Sequence, residues 1–170
     1  DERIFYPRHK PENENEVFTV HFHGSYIPLQ GVSTIVESTI ILKDERIRFR
    51  LIGREKKHRD ILAQIKFHSL NNIELIDKVS LENLPLEITK ADICLGIFGI
   101  TDKAYMVIPN KVYEGIAMNK AIITMHSSAI EELFTHKENI FLCNGGNAKD
   151  LALAIMTLKN DRELRDRISA

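Results

Sequence analysis

The chain has 170 residues, 44% of them hydrophobic, with 23 basic against 24 acidic side chains and a formal net charge of −1. That length suits one domain with enough apolar surface to bury a core, and the balanced charge excludes the long-range field that would gather nucleic acid or an anionic membrane surface. Cys94 and Cys143 lie far apart inside apolar runs, which fits buried free thiols in a reducing, cytoplasmic compartment better than a disulfide framework.

Residues 1–16, "DERIFYPRHKPENENE", are charged and proline-containing and read as a linker feeding a domain of residues 17–170. The run "VFTVHFHG" (17–24) predicts a strand ended by glycine. After a polar turn, Val32, Ile35, Val36 and Ile40 recur at helical spacing, and "IRFRLIG" (47–53) predicts a second glycine-ended strand. A helix follows over "EKKHRDILAQIKFH" (55–68), with Ile61, Leu62 and Ile65 on its apolar face, then a strand at "NIELID" (72–77) and a helix at "LENLPLEITKA" (81–91). "DICLGIFG" (92–99) predicts the next strand and "ITDKAYMVIP" (100–109) a loop. Pro109 followed by Asn110, a good N-cap, opens a short helix, and "AIIT" (121–124) is a buried strand. Ser128 with Glu131 three residues later forms a capping box, "NIFLC" (139–143) is strand-like, and two helices close the chain. Leu151, Ala154, Ile155 and Leu158 mark the first; "DRELRDRIS" (161–169) is the second. Strands alternate with helices, and a run such as "DICLGIFG" is nearly continuous in apolar character. The expected fold is therefore α/β, a Rossmann-like three-layer sandwich whose parallel sheet is covered by helices on both faces. No apolar run reaches the length of a membrane span and no signal peptide is visible, while a first residue of Asp1 suggests a piece of a longer protein.

In open parallel sheets, ligands sit beyond the carboxyl ends of the strands. Three strand ends here carry glycine, in "FHGSYIPLQG", "LIGRE" and "GIFGITDK", and together they frame one crevice with the Asn110 helix N-terminus pointing in as an anion site. Lys103 and Lys111 add positive charge, and Glu114, one turn into the helix, can accept from vicinal hydroxyls. A phosphate joined to a sugar or ribose satisfies both ends. Neither G-x-G-x-x-G after the first strand nor a P-loop is present, which weighs against dinucleotide and P-loop readings. His21 and His23 share a strand face at a spacing that can hold metal, but no third ligand stands at a recognisable spacing, so packing or a hydrogen bond is favoured. Cys143 has no evident activating partner.

The segments "HGSYIPLQGV…IRFRLIG", "ADICLGIFG", "PNKVYEGIAMNKAIIT", "IEEL" and "DLALAIMTLKNDRELRDRIS" resemble, in that order, the C-terminal lobe of the retaining GT-B glycosyltransferases of group 1 (family 4 type). "DERIFYP" resembles the segment between that fold's two lobes, which makes residues 1–16 an interdomain linker remnant. The resemblance implies a nucleotide-diphosphate sugar as donor substrate, carrying UDP, GDP or ADP, with no cofactor and no metal. It implies an acceptor sugar or lipid-linked glycan bound through an N-terminal lobe outside this chain. The setting implied is surface polysaccharide or glycoconjugate synthesis, in the cytoplasm or peripheral to the inner membrane.

Carried over residue by residue, the resemblance places Gly24 beside the diphosphate, and Ser25 and Gln30 where many members have Arg and Lys gripping phosphate. Gly53 and Arg54 fall near the nucleoside, Lys78 and Val79 along the base, and Glu114 on the ribose hydroxyls. Asn110 opens the helix that faces the diphosphate. Met106 stands where the first of the family's paired glutamates belongs, and Asp102 is off the spacing needed to replace it. Transfer in the family is described as front-face displacement, so this lobe's part would be positional and electrostatic, with no catalytic residue assigned and an isolated lobe inactive. Two alternatives stand beside this reading. A sugar-nucleotide epimerase of the same two-lobed fold would need acid and base carboxylates that no motif places. A nucleotide-binding or interaction domain that has lost catalysis fits the missing arginine, lysine and glutamate.

Overall fold

The computed structural model describes residues 2–8, 17–54 and 59–170, without the side chain of Arg54. Most of the expected linker (1 and 9–16) and the start of the expected helix 55–68 therefore lie outside the described residues. Six strands form one all-parallel sheet in the order β3-β2-β1-β4-β5-β6. They are β1 (Phe18–His23), β2 (Ile47–Arg54), β3 (Ile73–Asp77), β4 (Ile93–Leu95), β5 (Ala121–Met125) and β6 (Phe141–Cys143). Between them run α1 (Val32–Ile41), α2 (Arg59–Phe67), α3 (Leu84–Thr89), α4 (Asp102–Tyr105), α5 (Asn110–Ala117) and α6 (Ser128–Glu131), followed by α7 (Ala148–Asn160) and α8 (Arg162–Ser169). The strand order reverses between β1 and β4, which makes that junction the topological switch point where such sheets take ligands.

Because successive strand residues point to opposite faces, each strand feeds two cores. Val20, Phe22, Phe49, Leu51, Ile93 and Ile123 pack with Ile35 of α1, Leu151 and Ile155 of α7 and Leu164 of α8. On the other face Cys94, Ile122 and Leu142 pack with Ile88 of α3, Val112 of α5 and Ile130 of α6. Full burial of one such Ile, Leu or Phe contributes about 1.5–3 kcal/mol, so the two layers of helix are held chiefly by these contacts. The three-layer α/β sandwich with a parallel sheet covered on both faces is thus as the alternating pattern predicts.

Local boundaries differ in four places. The apolar run 92–99 pairs only over Ile93–Leu95, because the Phe98 and Gly99 amides leave the ladder and donate to the Gln30 and Leu29 carbonyls. The expected loop 100–109 holds the short helix α4, whose N-cap Thr101 accepts from the Ala104 amide. The N-cap of α6 is Ser127, whose side chain accepts from the Ile130 amide, rather than Ser128; Glu131 lies 2.9 Å from His126 instead of reaching back to a cap. Asn110 is likewise the first helical residue of α5 and not its cap, since Pro109 holds the extended conformation a cap requires (φ −75°, ψ 147°). With proline as cap, no side chain covers the first amides of α5.

Candidate functional site

The three glycine-bearing strand ends converge as their spacing implied, and backbone contact is the reason. Gly53 has φ 107°, and a Cβ there would stand 2.4 Å from the Gly24 carbonyl oxygen, so the turns after β1 and β2 are pressed together. The Gly24 amide donates to the Ile52 carbonyl at 3.0 Å across the same junction. On the other side, a Cβ on Gly31 would stand 2.4 Å from the Phe98 carbonyl carbon, which seats the β1–α1 loop on the end of β4. Glycine is required at both positions, because a side chain would drive two loops apart.

Beyond this junction lies a cavity of about 290 Å³ lined by His23, Gly24, Ser25, Ile52, Gly53, Lys78, Val79, Leu81 and Leu84. It gathers Gly24, Ser25, Gly53, Lys78 and Val79 from three separate strand ends. A second hollow of about 380 Å³ is lined by Glu2, Phe5, Asn110, Tyr113, Glu114 and Ala117. Glu114 of the second hollow meets His23 of the first, with Glu114 Oε2 lying 2.7 Å from His23 Nε2. Lys103 is exposed on α4 and lines neither hollow, and neither does the exposed Asp102. Met106 is 75% exposed. Arg54 pairs its backbone with Asp77 at the edge of β2, and its side chain lies outside the described residues.

Lys111, on the first turn of α5, is 6% exposed. Its Nζ donates to Gln30 Oε1, sits 3.8 Å above the Phe22 ring, and lies 2.8 Å from where a Gly24 side chain would begin. Gln30 is thus tied to Lys111 across the crevice floor. Burial pulls the Lys111 amine from its ordinary 10.5 down to about 7, against the opposing pull of Glu114. An ammonium in this position has no carboxylate in contact among the described residues, so an anion arriving at Gly24 would meet a cation with unspent charge.

His21 and His23 face α5, with His21 Nε2 2.9 Å from His23 Nδ1. Burial is the largest cause holding both imidazoles below their ordinary 6.5, partly offset at His23 by its bond to Glu114. The histidines are therefore linked to each other and to Glu114, and no group of three or more metal-ligating side chains is found among the described residues. The sequence put His23 next to Gly24 but had no signal for its contact with Glu114, 91 positions away. Cys94 and Cys143 are both free and buried, and burial pushes each thiol up to about 12, well away from reactivity. No helix among the described residues is long and apolar enough to cross a membrane.

Residues 17–161 match the family described as glycosyl transferases group 1. The chain belongs to the group 1 glycosyltransferases. Among solved structures, this glycosyltransferase domain is similar to the C-terminal domain of the group 1 protein LpcC from Francisella tularensis. There the TM-score is 0.80 at 18% identity, over 99% of this chain and 92% of that one. It is also similar to sucrose-phosphate synthase from Thermosynechococcus elongatus, with TM-score 0.84 at 16% identity over 99% of this chain and 44% of that one. A third likeness is to Alr3699/HepE from Anabaena in complex with UDP and glucose, with TM-score 0.76 at 18% identity over 89% of this chain and 41% of that one. At these identities the likeness establishes the Rossmann-like lobe of a GT-B fold. The glycosyltransferase domain spans less than half the length of the last two proteins. No curated protein matches it.

Proposed function

We propose that this glycosyltransferase domain binds the nucleotide-diphosphate sugar for a transferase that passes the sugar to an acceptor hydroxyl with retention. The observation that carries the reading is the seating of α5 at the end of β1, with Lys111 against Gly24 and Glu114 against His23. The cavity at Gly53, Lys78, Val79, Leu81 and Leu84 has largely apolar walls suited to a base. The diphosphate lies over Gly24 and Ser25, before the uncapped amides of Asn110 and Lys111. Oriented amides and one cation stabilise the charge that develops on a departing diphosphate, and act without reorganising. Glu114 accepts from ribose hydroxyls. Lys111 supplies from α5 the positive charge that Ser25 and Gln30 do not supply from the β1–α1 loop. Lys103 has no contact that supports a share in this site, and Arg54 is proposed only through its position at the end of β2.

Binding of UDP and glucose by the similar Anabaena protein supports a nucleoside diphosphate as the ligand class. A hexosyltransferase acting in surface polysaccharide or glycoconjugate synthesis, in the cytoplasm or beside the inner membrane, is the setting proposed. Acceptor binding is assigned to a second lobe, so the isolated domain is expected to bind donor weakly and transfer nothing. One observation favours a second reading, a nucleotide-binding domain that has lost transfer: the position of the family's first glutamate carries Met106, 75% exposed and aimed at no carboxylate's task.

Titration of the folded chain with UDP, GDP, ADP and their sugar conjugates by calorimetry tests the proposal, with Glu114→Ala as the control. Saturable binding of one nucleotide, weakened by the substitution, is expected. A folded chain that takes up none of them at millimolar concentration overturns it. Sugar transfer by the protein joined to its acceptor lobe then separates the transferase from the second reading.

A further inference from the structure

The hydrogen bonds along His21, His23 and Glu114 have a definite direction. A carboxylate only accepts, so the 2.7 Å contact requires the proton on His23 Nε2. A neutral His23 then has a bare Nδ1, and the 2.9 Å contact requires His21 Nε2–H to donate to it. The reverse arrangement would set a bare ring nitrogen against the carboxylate. Both rings are held neutral near pH 7 by burial, which satisfies the condition. What is left over is His21 Nδ1, buried with no partner among the described residues. His21 is 1% exposed on the strand face it shares with Thr19 and His23, and a valine or leucine there would leave no such atom. The fold therefore keeps an imidazole at a position where packing alone would not choose one.

Glu114 Oε2 is engaged by His23, and no further partner of its carboxylate is present among the described residues. We propose that His23 is a positioning residue for the donor site: it holds one oxygen of Glu114 so that the other is aimed at a ribose hydroxyl, while His21 fixes the proton of His23 on the nitrogen facing Glu114. This rests on the donor-binding reading above. The three side chains act in sequence, and Glu114 is the one that meets the ribose hydroxyls. His23 also lines the cavity assigned to the base, which sets the pair it forms beside the proposed ligand. Orientation is what this arrangement supplies, because a glutamate on a helix has several rotamers and a bond to a buried ring leaves one.

The test compares each of UDP, GDP and ADP with its 2′,3′-dideoxy counterpart, measured on the same 170-residue chain. The ratio of the two affinities reports hydrogen bonding to the ribose and is insensitive to general loss of folding. A preference of about tenfold for the ribose form is expected in the unaltered chain, as one hydrogen bond to a charged group provides. His23→Leu should reduce that preference to about twofold or less. His23→Gln, whose amide can still donate to Glu114, should retain most of it, and thermal melting checks that both variants fold. A second arm uses 15N-labelled histidine: the shifts should show both His23 and His21 protonated at Nε2. An unchanged ribose preference in folded His23→Leu overturns the role of His23, and His23 protonated at Nδ1 overturns the role of His21. If the unaltered chain binds no nucleoside diphosphate, the donor-site reading falls and this role falls with it.

Discussion

Replacing Lys111 with methionine should stabilise the domain and weaken its hold on a nucleotide, an opposition that few substitutions produce. The amine is 6% exposed and lies against the Phe22 ring and Gln30, with its proton affinity lowered from 10.5 to about 7. Giving up that proton near neutral pH costs on the order of 5 kcal/mol, at about 1.4 kcal/mol per tenfold. Methionine fills a similar volume without the charge, and after relaxation of the pocket a gain of about 2–4 kcal/mol is expected, in line with other buried charges replaced by apolar groups. For a chain of this size a gain of about 3 kcal/mol raises Tm by roughly 6–12 °C.

The pH dependence carries the sign. In the unfolded chain the amine keeps its proton up to 10.5, whereas the folded chain loses it near 7, so between those values the unfolded state binds more protons and stability rises with pH. Below about 7 both states are protonated and the whole cost is present; above 10.5 it is gone. Groups facing the amine are Glu114 on its own helix and His21 and His23 on β1. Urea unfolding at pH 7 and pH 8.5, below the ordinary range of the buried Cys94 and Cys143 thiols, measures this in the unaltered chain and in Lys111→Met: the difference between the two pH values should be plain in the first and nearly absent in the second. Nucleotide affinity should meanwhile fall about 10- to 100-fold in the variant, the worth of one charge-assisted contact. A variant that is less stable than its parent at pH 7, or one that binds nucleotide equally well, refutes the reasoning.

Two further outcomes are expected. Gly53→Ala should cost about 2 kcal/mol or more in urea unfolding, since φ 107° is strained for alanine and its Cβ would press on the Gly24 carbonyl at 2.4 Å; a loss under about 0.5 kcal/mol would show that the two turns are not held together as described. His21 and His23 are both lowered from 6.5, so the folded chain stays neutral there while the unfolded chain takes up protons. The contribution of the two rings should therefore be complete above 6.5 and fall as the pH drops below it, with the effect reduced in His21→Leu; a flat profile from pH 7 to pH 5 would contradict the burial of these rings.

The order of elements, the parallel sheet and the three glycine turns were legible along the chain because each depends on neighbours only a few residues apart. Apolar runs between helical repeats dictate buried parallel strands, and glycine after a strand permits a turn that other residues resist. Boundaries were less so. Ser127 rather than Ser128 caps α6, and Pro109 rather than Asn110 precedes α5, because the choice between adjacent residues turns on φ and ψ set by packing. The end of β4 came early because Phe98 and Gly99 found partners at Gln30 and Leu29, far back in sequence.

The residue types in the candidate site could be named from the chain alone: a glycine after β1, a glutamate and a lysine on a helix opened by proline, and two histidines on one strand face. Their pairing could not. Lys111 meets Gln30 across 81 positions and Glu114 meets His23 across 91, and no local spacing encodes contacts at such range. The sheet order brings β1 beside β4 and lays α5 against its end, and that placement decides which charges are buried, which are paired, and which face the crevice. A lysine on a short helix is ordinarily a solvated charge; it becomes a buried cation beside Gly24 only because the tertiary fold removes the water around it.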